Sequence, residues 1–203
     1  MATRQQTIAD FLEQLASRSP TPGGGGASAL LGAVAAALCG MVARLNDKKS
    51  GEAGPLHDVI DKADTLCREL EILADEDVNA FNQLMACWKL PEDAPDRSAR
   101  LETATAHATE APLAIMRTAL SVMRLAVEGL TLSKKNCISD AGVAGLAAHA
   151  CVEGARLNVM INLPGLSNQD VAREFRTQAD EIRAEAARLA TQVNDRITEL
   201  YDA

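Results

Sequence analysis

Aromatic side chains are almost missing from this 203-residue chain: they make up 2% of it, against 47% hydrophobic residues overall. A core of this composition must be built from aliphatic and alanine side chains. That favours helices packed closely through small residues over a β-sandwich, which leans on aromatic and β-branched positions. Basic runs are missing too. None is longer than Lys48-Lys49 or Lys134-Lys135, and the net charge is -8, so nucleic acid is not expected as a general partner. The five cysteines show no CxxC spacing and are odd in number, as expected of reduced core residues in a cytoplasmic protein rather than a disulfide framework. His57, His107 and His149 share no metal-ligand spacing, which gives no metal site, and His149 reads as a satisfied core histidine. No signal-peptide core follows Met1, and no segment reads as a strand.

What is present is helical periodicity. Thr7 with Asp10 has the form of a capping box, ahead of Ile8, Phe11, Leu12 and Leu15. Pro20, Pro22 and the run Gly23 to Gly26 form a break, after which a second helix spans about 27–45. From Gly23 to Ala43 there is no charge, a length sufficient to cross a bilayer. Its Ala and Gly content adds little transfer energy, so a buried central helix is expected and no membrane span.

A third helix of about 56–90 carries an apolar stripe from Val59 through Leu70 and Leu73 to Phe81, Leu84 and Trp88, with Asp77 set on that stripe. A fourth, of about 97–130, contains Pro112, so a kink near Ala108 is expected. Ser139-Asp140 then cap a fifth, small-residue helix to about 163, and a sixth runs over about 168–201. The pattern predicts an all-α, single-domain bundle of about six helices covering 1–203. The two small-residue helices form its central pair, because small faces let backbones approach.

Three features carry candidate chemistry. The glycines Gly23, Gly24, Gly25 and Gly26 let backbone approach a ligand at a helix start, where N–H groups are unpaired, or else form a plain connector. Asp77 on an apolar stripe needs a partner or a ligand, unless the stripe rotates it to a solvent edge. Asp140 at a helix start is a capping residue or a functional carboxylate. The residues alone specify a bundle with a suspect pocket and no reaction.

A resemblance supplies the reaction. Ser19 to Gly26 followed by Ala27, Ser28 and Ala29, the block Asp77 to Phe81, the block Asn136 to Ala144 and the block Leu157 to Asn162 resemble, in type and order, the cyclodeaminase/cyclohydrolase family. The resemblance covers essentially the whole chain. It implies a helical homodimer acting on tetrahydrofolate one-carbon derivatives, with no metal and no cofactor beyond that substrate. The Ser139 to Ala144 block is most similar to stand-alone cyclohydrolases, which hydrolyse 5,10-methenyltetrahydrofolate to 10-formyltetrahydrofolate. The alternatives are the cyclodeaminase, which closes 5-formiminotetrahydrofolate with loss of ammonia, and a non-catalytic folate-binding paralogue.

Under this resemblance Asp140 is the first choice for the carboxylate that stabilises the cationic carbon or moves a proton, and Asp77 the second. Ser139, Asn136, Ser28 and the four glycines would position the substrate. Lys48, Lys49, Lys134 and Lys135 would attract the anionic glutamate or polyglutamate tail. One departure stands out: Arg44 occupies a place where relatives often carry asparagine, which puts specificity or activity in question.

Overall fold

The computed structural model describes residues 3–47, 54–132 and 137–202. Six α-helices account for nearly all of them: α1 (Ile8–Leu15), α2 (Gly24–Asn46), α3 (Pro55–Trp88), α4 (Arg97–Leu132), α5 (Ile138–Asn162) and α6 (Gln169–Asp202). Short 3-10 turns include Thr3–Gln5 and Leu163–Gly165, and no strand occurs among the described residues. The expected all-α bundle is observed. Thr7 caps α1 with both hydrogen bonds of the capping box to Asp10, as its spacing predicts.

The two small-residue helices are the centre. α2 packs on α3, α4 and α5, while α5 packs on α2, α4 and α6. α2 and α5 run antiparallel, because Gly24 faces Asn158, Gly32 faces Cys151 and Ser28 faces Gly154. The approach is close enough that glycine is required at specific points: a Cβ on Gly154 would lie 2.4 Å from Ser28 Oγ, and one on Gly32 would lie 2.9 Å from Cys151 Sγ. By length and composition α2 is a candidate for crossing a membrane, yet most of its charge-free segment is packed inside the bundle. On α6, Ala172, Ala179, Ala186 and Val193, at seven-residue intervals, are all buried.

Three expectations are corrected. The glycine run is not a loop: Gly24, Gly25 and Gly26 form the first turn of α2, with Gly23 as N-cap. Tertiary contact outweighs the low helix propensity of glycine here. Ser139 and Asp140 are not caps; Cys137 precedes the helix, and both lie within its first turn. His149 is half-buried rather than a core histidine, with Nε2 3.9 Å from Glu153 and no hydrogen bond of its own. All five cysteines are free, four of them buried, in line with reduced core residues. Burial pushes the Cys39 and Cys151 thiols up to about 12, which makes them packing groups rather than nucleophiles.

The α2–α5 contact makes a prediction. Gly154→Ala forces Ser28 to abandon its 2.7 Å hydrogen bond to the Gly24 carbonyl and should lower stability by about 1–2 kcal/mol in urea unfolding. In a Ser28→Ala background the new methyl meets Cβ at an ordinary 3.5 Å. The same substitution should then be neutral or stabilising, by up to about 1 kcal/mol, through helix propensity. Equal effects in both backgrounds would refute the close contact.

Candidate active site

The site begins with a helix start. The first N–H groups of α2 have no partner within the helix, and α3 brings the Asp77 side chain directly against them. Asp77 accepts a hydrogen bond from the Gly26 N–H. A Cβ on Gly25 would lie 2.3 Å from both carboxylate oxygens, so any other residue there would displace the Asp77 carboxylate from its present place. The glycine requirement and the oddly placed aspartate explain each other. A carboxylate on an apolar stripe is tolerated because a helix N-terminus, with its N–H groups and positive dipole end, receives it.

Burial still dominates its titration. Desolvation pushes the Asp77 carboxyl up to about 6, partly opposed by the Gly26 hydrogen bond. A carboxylate with this value exchanges protons near neutrality, as a general acid or base must.

Asp77 faces a cavity of about 200 Å³. Its walls come from the segment before α2 (Pro20, Thr21, Gly23), the α2 start (Gly24, Gly25), α3 (Phe81), α4 (Ala108) and the end of α5 (Asn158, Ile161, Asn162). Two asparagines bring amide groups to it, and each is held by a backbone carbonyl. Asn158 Nδ2 donates to the Gly154 carbonyl at 2.9 Å, and Asn162 Nδ2 donates to the Ala108 carbonyl at 2.7 Å.

The second bond has a cause in the sequence. Pro112 has no N–H, so the carbonyl four residues earlier, that of Ala108, lacks its helical donor. Asn162 supplies the missing donor and thereby fixes which end of its amide points away from α4. α4 continues through Pro112 as one helix from Arg97 to Leu132.

The predicted site residues divide by position. Gly23, Gly24 and Gly25 line the cavity, and Gly26 holds Asp77. Ser28 is buried in the α2–α5 contact, its hydroxyl bonded to the Gly24 carbonyl, and does not line the cavity. Asp140 and Ser139 sit in the first turn of α5, 18 residues from Asn158 or about 27 Å along the helix axis. Within one chain they do not meet Asp77. Lys48, Lys49, Lys134, Lys135 and Asn136 lie outside the described residues. Arg44 pairs with Asp64 at 2.6 Å near the far end of α2, about 30 Å from Gly24 by helix rise.

The sequence carries Asn158, Asn162 and Phe81 in the Leu157 to Asn162 and Asp77 to Phe81 blocks, but spacing alone does not assign them to the glycine helix start. No group of three or more His, Cys, Asp or Glu side chains able to hold a metal ion occurs among the described residues.

Fold and site together define a helical protein that holds a buried carboxylate beside a small, amide-lined cavity. Comparison with known proteins places it: the chain belongs to the formiminotransferase-cyclodeaminase family, whose profile matches residues 7–181. It is 40% identical over 201 residues to a methenyltetrahydrofolate cyclohydrolase of Methylorubrum extorquens, covering 96% of this chain and 95% of that one. It is also 30% identical over 194 residues to the formimidoyltransferase-cyclodeaminase of Sus scrofa, covering 92% of this chain but 36% of that longer protein. The crystal structure of a formiminotetrahydrofolate cyclodeaminase from Thermotoga maritima superimposes with a TM-score of 0.89 at 25% identity, over 98% of both chains.

The raised titration of Asp77 has a consequence for stability. An acid whose folded value lies above its unfolded one binds a proton more tightly when folded. Its contribution is therefore present at low pH and lost as pH rises from about 4 through about 6. Asp77→Asn should remove this dependence. The variant should gain on the wild type progressively over that window, by a few kcal/mol at neutral pH, as read by urea unfolding at a series of pH values. A difference that does not change with pH would contradict the buried carboxylate.

Proposed function

We propose that the chain is a methenyltetrahydrofolate cyclohydrolase, converting 5,10-methenyltetrahydrofolate and water to 10-formyltetrahydrofolate. The observation that carries this reading is the Asp77 carboxylate, titrating near 6 beside the cavity and the α2 start. The match along nearly the full length of a cyclohydrolase favours hydrolysis over deamination.

The substrate's reacting carbon is an amidinium-type cation between N5 and N10. An ionised Asp77 stabilises that charge and takes a proton from water as the oxygen attacks, giving a neutral tetrahedral carbinolamine. Protonated Asp77 then returns the proton to N5 as the C–N5 bond breaks. The hydroxyl proton leaves to solvent as the formyl carbonyl forms on N10. One proton is released overall, and the carboxylate is regenerated. Asn158 and Asn162, held by backbone carbonyls, present amides to orient the pterin portion. This scheme uses the carboxylate, water and the substrate's own charge, and we propose no cofactor beyond the tetrahydrofolate.

The cyclodeaminase is the second reading, supported by the similarity to the porcine protein and the Thermotoga structure. The same carboxylate would serve ring closure with loss of ammonia. Arg44, the feature that leaves room for a non-catalytic folate-binding paralogue, is engaged with Asp64 well away from the cavity, which supports catalysis.

A homodimer is supported by one face of the central pair. Leu31, Val34, Met41 and Leu45 on α2, and Val143, Leu146, Leu157 and Ile161 on α5, are exposed apolar side chains. Spaced by three, four, seven and eleven residues, close to whole helical turns, they form an exposed apolar surface suited to a second copy. On this reading Asp140 could reach a cavity only from a second copy. Free cysteines and the acidic charge support a cytoplasmic protein that engages neither nucleic acid nor membrane, and a polyglutamylated tail would suit the lysine pairs.

Loss of 5,10-methenyltetrahydrofolate absorbance in the near ultraviolet, corrected for spontaneous hydrolysis, tests the proposal. The wild-type rate should rise with pH through about 6 as Asp77 ionises, and Asp77→Asn should lower kcat about 100-fold or more. No acceleration by the wild type, with ammonia released from 5-formiminotetrahydrofolate instead, would establish the cyclodeaminase. An Asp77→Asn variant within a fewfold of wild type would remove Asp77 from the chemistry.

A further inference from the structure

Phe81 and Trp88 are two of only five aromatic residues in the chain, and their rings meet. Their ring centroids are 6.1 Å apart and their planes 85° from parallel, an edge-to-face pair. Phe81 lines the cavity beside Asp77. Asp77, Phe81 and Trp88 are four and seven residues apart on α3, close to whole helical turns, so they stack along one face. By helix rise, Phe81 lies about 6 Å and Trp88 about 17 Å from Asp77.

The sequence places Trp88 on the apolar stripe, yet the indole is 52% exposed, while Leu84 and Cys87 from the same end of α3 fill the core with Ala104 and Ala108. Packing therefore does not account for Trp88. The cavity, at about 200 Å³, is also smaller than the roughly 300–1,000 Å³ sites that enclose drug-sized ligands. A cavity of this size cannot enclose a whole folate, so part of such a substrate must lie outside it.

We propose that Phe81 and Trp88 form an aromatic subsite that extends the Asp77 cavity along α3 and stacks the p-aminobenzoyl ring of the folate. The inference rests on the folate reading above and adds a binding determinant to it. A flat, electron-rich ring linked to the pterin reaches the aromatic pair along α3 when the reacting carbon faces Asp77. The pair supplies flat apolar surface in a molecule that otherwise has almost none. The subsite selects for substrates that carry the aromatic linker and leaves the chemistry at Asp77 unchanged.

Trp88 is the chain's sole tryptophan, so its fluorescence reports on this subsite directly. Titration of the wild type with tetrahydrofolate should change the emission saturably, whereas a reduced pterin lacking the p-aminobenzoylglutamate portion should not. Trp88→Ala should raise KM for 5,10-methenyltetrahydrofolate about three- to tenfold with kcat within about twofold, and Trp88→Phe should recover most of the loss. Calorimetry on Trp88→Ala should show weakened tetrahydrofolate binding with binding of the tail-less pterin unchanged. An unchanged KM in Trp88→Ala, or no emission change at saturating tetrahydrofolate in a wild type that turns over, would overturn the subsite and leave the functional reading intact. A wild type that neither turns over nor binds tetrahydrofolate would overturn both.

Discussion

The contact between the Asp77 carboxylate and the first turn of α2 is the constraint around which the rest is arranged. It demands glycine at position 25, where any Cβ would collide with both oxygens. It starts α2 on three consecutive glycines, a poor helix opening on propensity alone. It also brings α3 and α2 together at the end where α5 finishes, so that one end of the bundle becomes concave. Because the carboxylate is stabilised by backbone N–H donation rather than by a neighbouring cation, its charge is only partly compensated. Desolvation therefore keeps its titration near neutrality.

The packing of α2 against α5 serves this arrangement. Gly24, Ser28 and Gly32 meet Asn158, Gly154 and Cys151 at distances that leave no space for larger side chains. The end of α5 is thereby brought against the start of α2, and Asn158 and Asn162 arrive at the cavity together. Pro112 contributes from the third side by withholding a donor, so the Ala108 carbonyl takes the Asn162 amide. The carbonyl freed by a proline in the middle of a helix thus becomes the anchor of an asparagine at the site.

Much of the fold was legible in the sequence because helical periodicity and small-residue faces are local signals. The capping box at Thr7 follows from spacing, and the central pair from the small-residue faces of α2 and α5. The helical start at Gly24 to Gly26 is not legible because propensity speaks for them as isolated residues, whereas Asp77, more than 50 residues later, packs against that first turn. The choice of Asp140 before Asp77 comes from the family resemblance and not from local pattern. A carboxylate near a helix start is easy to see locally, while the burial that makes Asp77 useful depends on contacts between distant segments. Asn162 was harder still, since its role appears only when the carbonyl released by Pro112 is placed opposite it.

The most direct test is to measure the titration of the Asp77 side-chain carboxyl by carbon NMR on the labelled protein, with Asp77→Asn to assign the resonance. The account predicts a midpoint of about 6, raised by burial against the α2 start. A midpoint near 4, that of an ordinary solvated aspartate, would show that the carboxylate is not held in the desolvated contact from which the proposed chemistry follows.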